Sequence, residues 1–138
     1  MDPEELSAAL TLLAFPRAGP ATIARLLGAA GSPRQALLLP PARLEDLGLH
    51  PDTRIAHRMA KGRPSAEAMR QRDRLLALGV QALISTEVGY PPLLRQIPRP
   101  PPILFLRGCA ATLHRPQVAI VGSRSPTPSG REIGRAHV

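Results

Sequence analysis

Gly122, Ser123 and Arg124 are the residues of this chain best equipped for chemistry, and that chemistry is anion binding. Gly122 has no Cβ, so the backbone there can turn sharply and come close to a ligand. Ser123 adds a hydroxyl and its own N–H, and Arg124 adds a fork of donors matched to a phosphodiester. The preceding Val118-Ala119-Ile120-Val121 is a continuous apolar run. It reads as a buried parallel strand that delivers the site at its carboxyl end. A helix opening at Ser129 or Gly130 and running through Arg131-Glu132-Ile133 would turn unpaired N–H groups toward the same spot. An ordinary strand-to-helix turn that needs glycine fits these residues as well. Two phosphate motifs are excluded. No Gly follows Gly122 at the spacings of a dinucleotide fingerprint, and the chain has no Gly-Lys-Ser/Thr of a Walker A loop.

Composition favours the same partner class. The 138 residues carry a net charge of +8, and among the 18 basic residues Lys61 is the single lysine. Arginine binds phosphate bidentately, so the excess points to a polyanion, although a GC-rich coding sequence would drift toward arginine too. The 43% hydrophobic content suffices for the core of one modest domain or two small ones. With one cysteine, Cys109, there is no internal disulfide framework, and the thiol reads as a small buried hydrophobe beside a turn glycine. The start is acidic where a signal peptide would be basic, and no apolar run reaches ~18 residues, so a soluble, cytoplasmic protein is expected.

Other constellations are weaker. His50, His57, His114 and His137 are scattered without companion cysteines, so no metal site is expected, and no catalytic triad or carboxylate pair can be assembled. Arg70, Arg72 and Arg74 alternate, which on a helix does not place them on one face; a solvated surface is the default. The stretch from Leu13 to Thr22 looks like a degenerate helix-hairpin-helix. Its amides near Gly19 would meet a phosphate with help from Arg17 or Arg25; a purely structural or protein-docking hairpin is the competing reading.

The elements that must position these residues begin with short helices. Leu6, Ala9, Leu10 and Leu13 recur at helical spacing behind Glu4 and Glu5. Pro20 opens a second helix with Ile23, Leu26 and Leu27 on its apolar face, closed by Gly28. Ser32-Pro33 starts a third, stopped by Pro40-Pro41, and brief helices follow around Leu44 and Leu47 and around Ile55 and Met59. Gly62-Arg63-Pro64 is the expected boundary, dividing a helical domain, 1–62, from an α/β part, 63–138. Beyond it, Ser65 caps a helix bearing Met69, Leu75, Leu76 and Leu78, with Gly79 as its stop. Residues 80–85 read as a strand, residues 91–102 as a rigid proline-rich connector, and residues 103–106 as a second short strand. With residues 118–121 these open an α/β sheet that is unfinished, and the chain reads as a fragment.

At this point the chain resembles a known family, DprA, the DNA-processing protein A also called Smf. The carriers are Leu78-Gly79-Val80, Tyr90-Pro91-Pro92-Leu93-Leu94, residues 101–108 from Pro101 to Gly108, and above all residues 118–124 ending in Gly122-Ser123-Arg124. The resemblance covers roughly residues 75–130, and the helical front end is similar to the sterile-alpha-motif-like domain of many members. It implies an α+β chain: a small helical bundle, sterile-alpha-motif or helix-hairpin-helix-like, followed by the truncated start of an extended Rossmann-like domain. It implies a binding protein without cofactor rather than an enzyme, one that binds single-stranded DNA in natural transformation, protects it and helps load the RecA recombinase, commonly as a homodimer. It implies that Gly122, Ser123 and Arg124 contact DNA phosphate and that Gly130 matches the family glycine at the helix start. Ser129 stands where the family usually has an aromatic residue. A Rossmann-type nucleotide-processing enzyme similar to the phosphoribohydrolases is the alternative from another class; it requires a Pro-Gly-Gly-x-Gly-Thr-like loop and a catalytic glutamate that this chain lacks. A helical protein-docking module is a third reading.

Overall fold

The computed structural model describes residues 1–16, 18–49, 63–118 and 121–136. Helix α1 (Pro3–Leu13) opens with proline in its first turn beside Glu4 and Glu5, where N–H groups lack partners and negative charge is favoured. Leu6, Ser7, Ala8, Ala9, Leu10 and Leu12 are all buried, a face wide enough for neighbours on more than one side. Leu13, expected on that face, is 39% exposed.

Helix α2 (Pro20–Ala30) buries Ile23, Leu26 and Leu27 completely. It runs past Gly28, where an end is expected, to Gly31, because the positive φ of a helix stop is taken up there, at +81°. Helix α3 (Pro33–Leu37) begins at Ser32, whose Oγ accepts from the Gln35 N–H at 3.3 Å. The Ser32 hydroxyl also donates to Glu5 Oε1, and the Arg34 N–H donates to Glu5 Oε2, each at 3.0 Å. One carboxylate in the first turn of α1 thus caps the start of α3. Helix α3 stops at Leu37, ahead of Pro40-Pro41, and Pro41 opens α4 (Pro41–Asp46), since proline's fixed φ suits a first helical turn. Gly48, at φ +84°, closes α4. The helix expected around Ile55 and Met59 lies outside the described residues, as does Gly62.

Helix α5 (Ala66–Ala77) starts at Ser65, whose Oγ accepts from the Ala68 N–H at 3.1 Å and whose own N–H donates to Thr11 Oγ1 at 3.0 Å. Both α3 and α5 pack on α1. Ala68 enters the core and Leu75 packs against it, but Met69, Leu76 and Leu78 are exposed. Gly79, at φ +67°, turns the chain into β1 (Val80–Ile84). Strand β1 pairs antiparallel with β2 (Ile103–Arg107), Val80 opposite Arg107 and Ile84 opposite Ile103. The connector between them holds the short α6 (Pro92–Arg95), and a 3₁₀ turn, Ala110–His114, follows β2. Helix α7 (Pro128–Ala136) ends the described chain.

The described residues are therefore mostly helical with a two-stranded sheet, an α+β chain. One buried cluster runs from Leu6 and Leu27 through Ala68 to Ala82, Ile84 and Ile103, so core packing continues across the expected boundary near Gly62. The expected buried strand is corrected at both of its described ends: Val118 is 91% and Val121 89% exposed, and neither lies in a strand. A β-branched run becomes a strand only where neighbours supply ladder hydrogen bonds and apolar cover. The described sheet stops at β1 and β2 and supplies neither.

Candidate nucleic-acid interface

The Gly-Ser-Arg turn is exposed throughout. The Ser125 N–H donates to Ser123 Oγ at 3.1 Å, which tightens the turn and leaves the serine hydroxyl proton available to an incoming acceptor. Gly122 does not have a positive φ, and a Cβ built on it would meet nothing within 4 Å. Among the described residues, then, neither conformation nor packing demands glycine there. Arg124 is exposed and makes no hydrogen bond or ion pair among the described residues, so its five donors are open to solvent.

The helix behind the turn starts one residue before the earlier of the two expected positions. Thr127 caps α7: its Oγ1 accepts from the Gly130 N–H at 3.2 Å and its carbonyl from the Arg131 N–H at 3.1 Å. The Gly130 amide is thereby engaged. A Cβ at Gly130 would stand 3.4 Å from Thr127 Oγ1 and 3.5 Å from Pro126 Cβ, ordinary contact distances against the cap. Arg131 and Arg135, four residues apart, share one face of α7 and are both exposed. They escaped the sequence reading although an i, i+4 arginine pair beside a phosphate turn is a usable signal.

The helical hairpin behaves differently. Gly19 precedes α2 as its cap residue, and its carbonyl accepts from the Thr22 and Ile23 N–H groups at 3.0 and 3.1 Å. Arg25 donates to Thr22 Oγ1 at 3.4 Å and lies over Gly48, where a built Cβ would fall 2.7 Å from its Nη2. Its guanidinium thus lies close to the end of α4 while its hydrogen bond stays within α2, and the residue is exposed. Arg17 lies outside the described residues. No hydrogen bond or ion pair links Gly122, Ser123 or Arg124 to Gly19 or Arg25. A cleft of about 540 Å³ does open beside the hairpin, lined by Gly19, Pro20, Ala21 and Ala24 on one wall and by Pro98, Arg99 and Pro100 on the other. No local sequence signal could have found it, because its walls meet only in the fold.

The alternating arginines have separate fates. Arg70 pairs with Glu67, Arg72 turns inward to Ser7, and Arg74 lines a second, apolar cavity with Leu10, Gln71, Leu75 and Phe105. Cys109 is exposed, which corrects its reading as a buried hydrophobe; it follows Gly108, at φ +118°, outside the packed cluster. Among the described residues no group of three or more His, Cys, Asp or Glu side chains could hold a metal ion. No described helix is long and apolar enough to cross a membrane.

No curated protein and no solved structure matches the chain. A family model does, over the part that carries β1, the proline connector, β2, the Gly-Ser-Arg turn and α7. Residues 81–138 match the family of DNA recombination-mediator protein A, the family to which the sequence motifs of that same stretch point.

Proposed function

We propose that the chain is part of a recombination mediator that binds single-stranded DNA through its phosphates, protects it and passes it to the RecA recombinase during natural transformation. The observation that carries this reading is Arg124, an uncommitted guanidinium in an exposed Gly-Ser-Arg turn within the matched stretch. The net charge of +8 supports it by favouring polyanions over other ligands. The binding mode is electrostatic and indifferent to base sequence. Tyr90 is wholly buried and Phe15 half-buried, and only Phe105 is exposed, so no run of aromatic faces exists on which bases could stack.

In this reading Gly122, Ser123 and Arg124 hold one phosphate, with Gly130 shaping the helix start behind them. The helical part, 1–62, is a sterile-alpha-motif-like module, and the part 63–138 begins a Rossmann-like DNA-binding domain that acts as a homodimer in the cytoplasm. The test is binding of a fluorescent oligothymidylate across a salt series. Arg124→Ala lowers affinity and reduces the slope of log K against log salt by about 0.7, the loss of one single-strand phosphate contact. An unchanged slope and affinity removes Arg124, and with it this reading of the turn.

A further inference from the structure

We propose that the cleft between the start of α2 and the Pro98-Arg99-Pro100 segment is a second phosphate-binding site for single-stranded nucleic acid, with Arg99 as its cation. The proposal rests on the single-strand binding argued above and extends it to a surface outside the Gly-Ser-Arg turn.

Three features of the cleft support this. Among the described residues its lining is Gly19, Pro20, Ala21, Ala24, Pro98, Arg99 and Pro100, and these include no carboxylate to repel an anion and no large apolar side chain to anchor a hydrophobic partner. Its volume of about 540 Å³ lies within the usual range for a small-ligand site. Arg99, the one charged group among the described lining residues, is exposed and makes no hydrogen bond or ion pair among the described residues. Arg95, by contrast, is spent on the Ser85 and Glu87 carbonyls.

The guanidinium is also carried on a stiff backbone. Pro98 and Pro100 flank it with fixed φ values, and the end of their segment is tied down by the Tyr90 hydroxyl on the Pro101 carbonyl and the Ser85 N–H on the Pro102 carbonyl. Little main-chain freedom is left to lose on binding, which favours affinity. Prolines offer no N–H, so on that wall recognition falls to the arginine fork, whose geometry matches phosphate oxygens. Small residues opposite allow a sugar–phosphate backbone to lie close.

Oligothymidylate binding by the full chain across a salt series tests this. Arg99→Gln is expected to lower affinity about threefold to tenfold at low salt and to reduce the salt slope by about 0.7, with Arg99→Lys restoring most of the slope. Ala21→Glu places a carboxylate on the opposite wall and should weaken binding further. Ala21 is exposed in the first turn of α2, where an acidic side chain stabilises a helix, so this variant keeps its fold. If Arg99→Gln and Ala21→Glu both bind like the parent while Arg124→Ala binds less, the cleft proposal is overturned and the Gly-Ser-Arg reading stands. If the parent chain itself fails to bind oligothymidylate, both fall. Loss of polyglutamate binding in Arg99→Gln with oligothymidylate binding intact would overturn the proposal in favour of an acidic protein partner.

Discussion

The Tyr90 hydroxyl donates to the carbonyl oxygen of Pro101 at 2.8 Å and so closes the proline-rich connector on itself. The tyrosine ring is fully buried, and the Arg95 guanidinium lies 5.6 Å from its centroid while donating to the Ser85 and Glu87 carbonyls at 2.9 and 2.6 Å. A proline run keeps its carbonyls but has no N–H, so it can accept hydrogen bonds without being able to join a strand ladder. Tyr90 and the Ser85 amide satisfy two of those carbonyls. They thereby anchor the segment that forms one wall of the α2 cleft.

Tyr90→Phe therefore costs about 1–2 kcal/mol, the scale for losing a hydrogen bond and leaving a carbonyl without its partner. Burial pushes the phenol above its ordinary 10.0, and the nearby Arg95 charge opposes this more weakly. The folded state thus prefers the neutral phenol. That preference leaves stability intact below pH 10 and erodes it as pH rises through the raised value. Urea denaturation near neutrality and in alkaline buffer checks both points: the parent should lose stability in alkali more steeply than Tyr90→Phe.

Arg72 links α5 to α1. Its side chain is 16% exposed, and its Nη1 donates to the buried Ser7 hydroxyl at 3.1 Å while Nε and Nη2 donate to Asp73 Oδ1. Glu4, 3.9 Å away and more than half exposed, adds little. Arg72→Ala should lower stability by about 1–2 kcal/mol through lost packing of the stem and the lost bond to Ser7. Arg72→Met should recover the packing share. Thermal denaturation of the two variants separates these contributions.

Gly48 and Arg25 form a coupled pair. Alanine at position 48 would be strained at φ +84° and would meet Arg25 Nη2 at 2.7 Å. Gly48→Ala should cost about 1–2 kcal/mol from the left-handed backbone alone, plus the displacement of a flexible guanidinium. In the double variant with Arg25→Ala the displacement share disappears and the backbone share stays. A double-mutant cycle by urea denaturation measures the difference.

Local chemistry was legible where a helix end is decided within a turn. Ser32-Pro33 and Ser65 start helices as their sequence signals indicate, and Gly79 takes the positive φ of a stop. The choice between Gly28 and Gly31 was not legible, because a glycine inside a helix and one beyond its end differ only in whether packing continues past them. Leu13, Met69 and Leu76 sit at core-like spacing yet are exposed, since burial needs a partner surface as well as periodicity.

The candidate site divides along the same line. By itself the amino-acid sequence determined the residue types of the Gly-Ser-Arg turn, the arginine excess, the helix caps and the proline connector, all of which follow from side-chain chemistry and short-range backbone preference. The tertiary structure alone decided that β1 and β2 run antiparallel, that Arg72 turns inward to Ser7, and that Arg99 faces α2 across a cleft. It also decided that Val118 and Val121 stand in solvent. Those outcomes depend on which distant surfaces meet, and a strand or a free cation is defined by the neighbours it has or lacks.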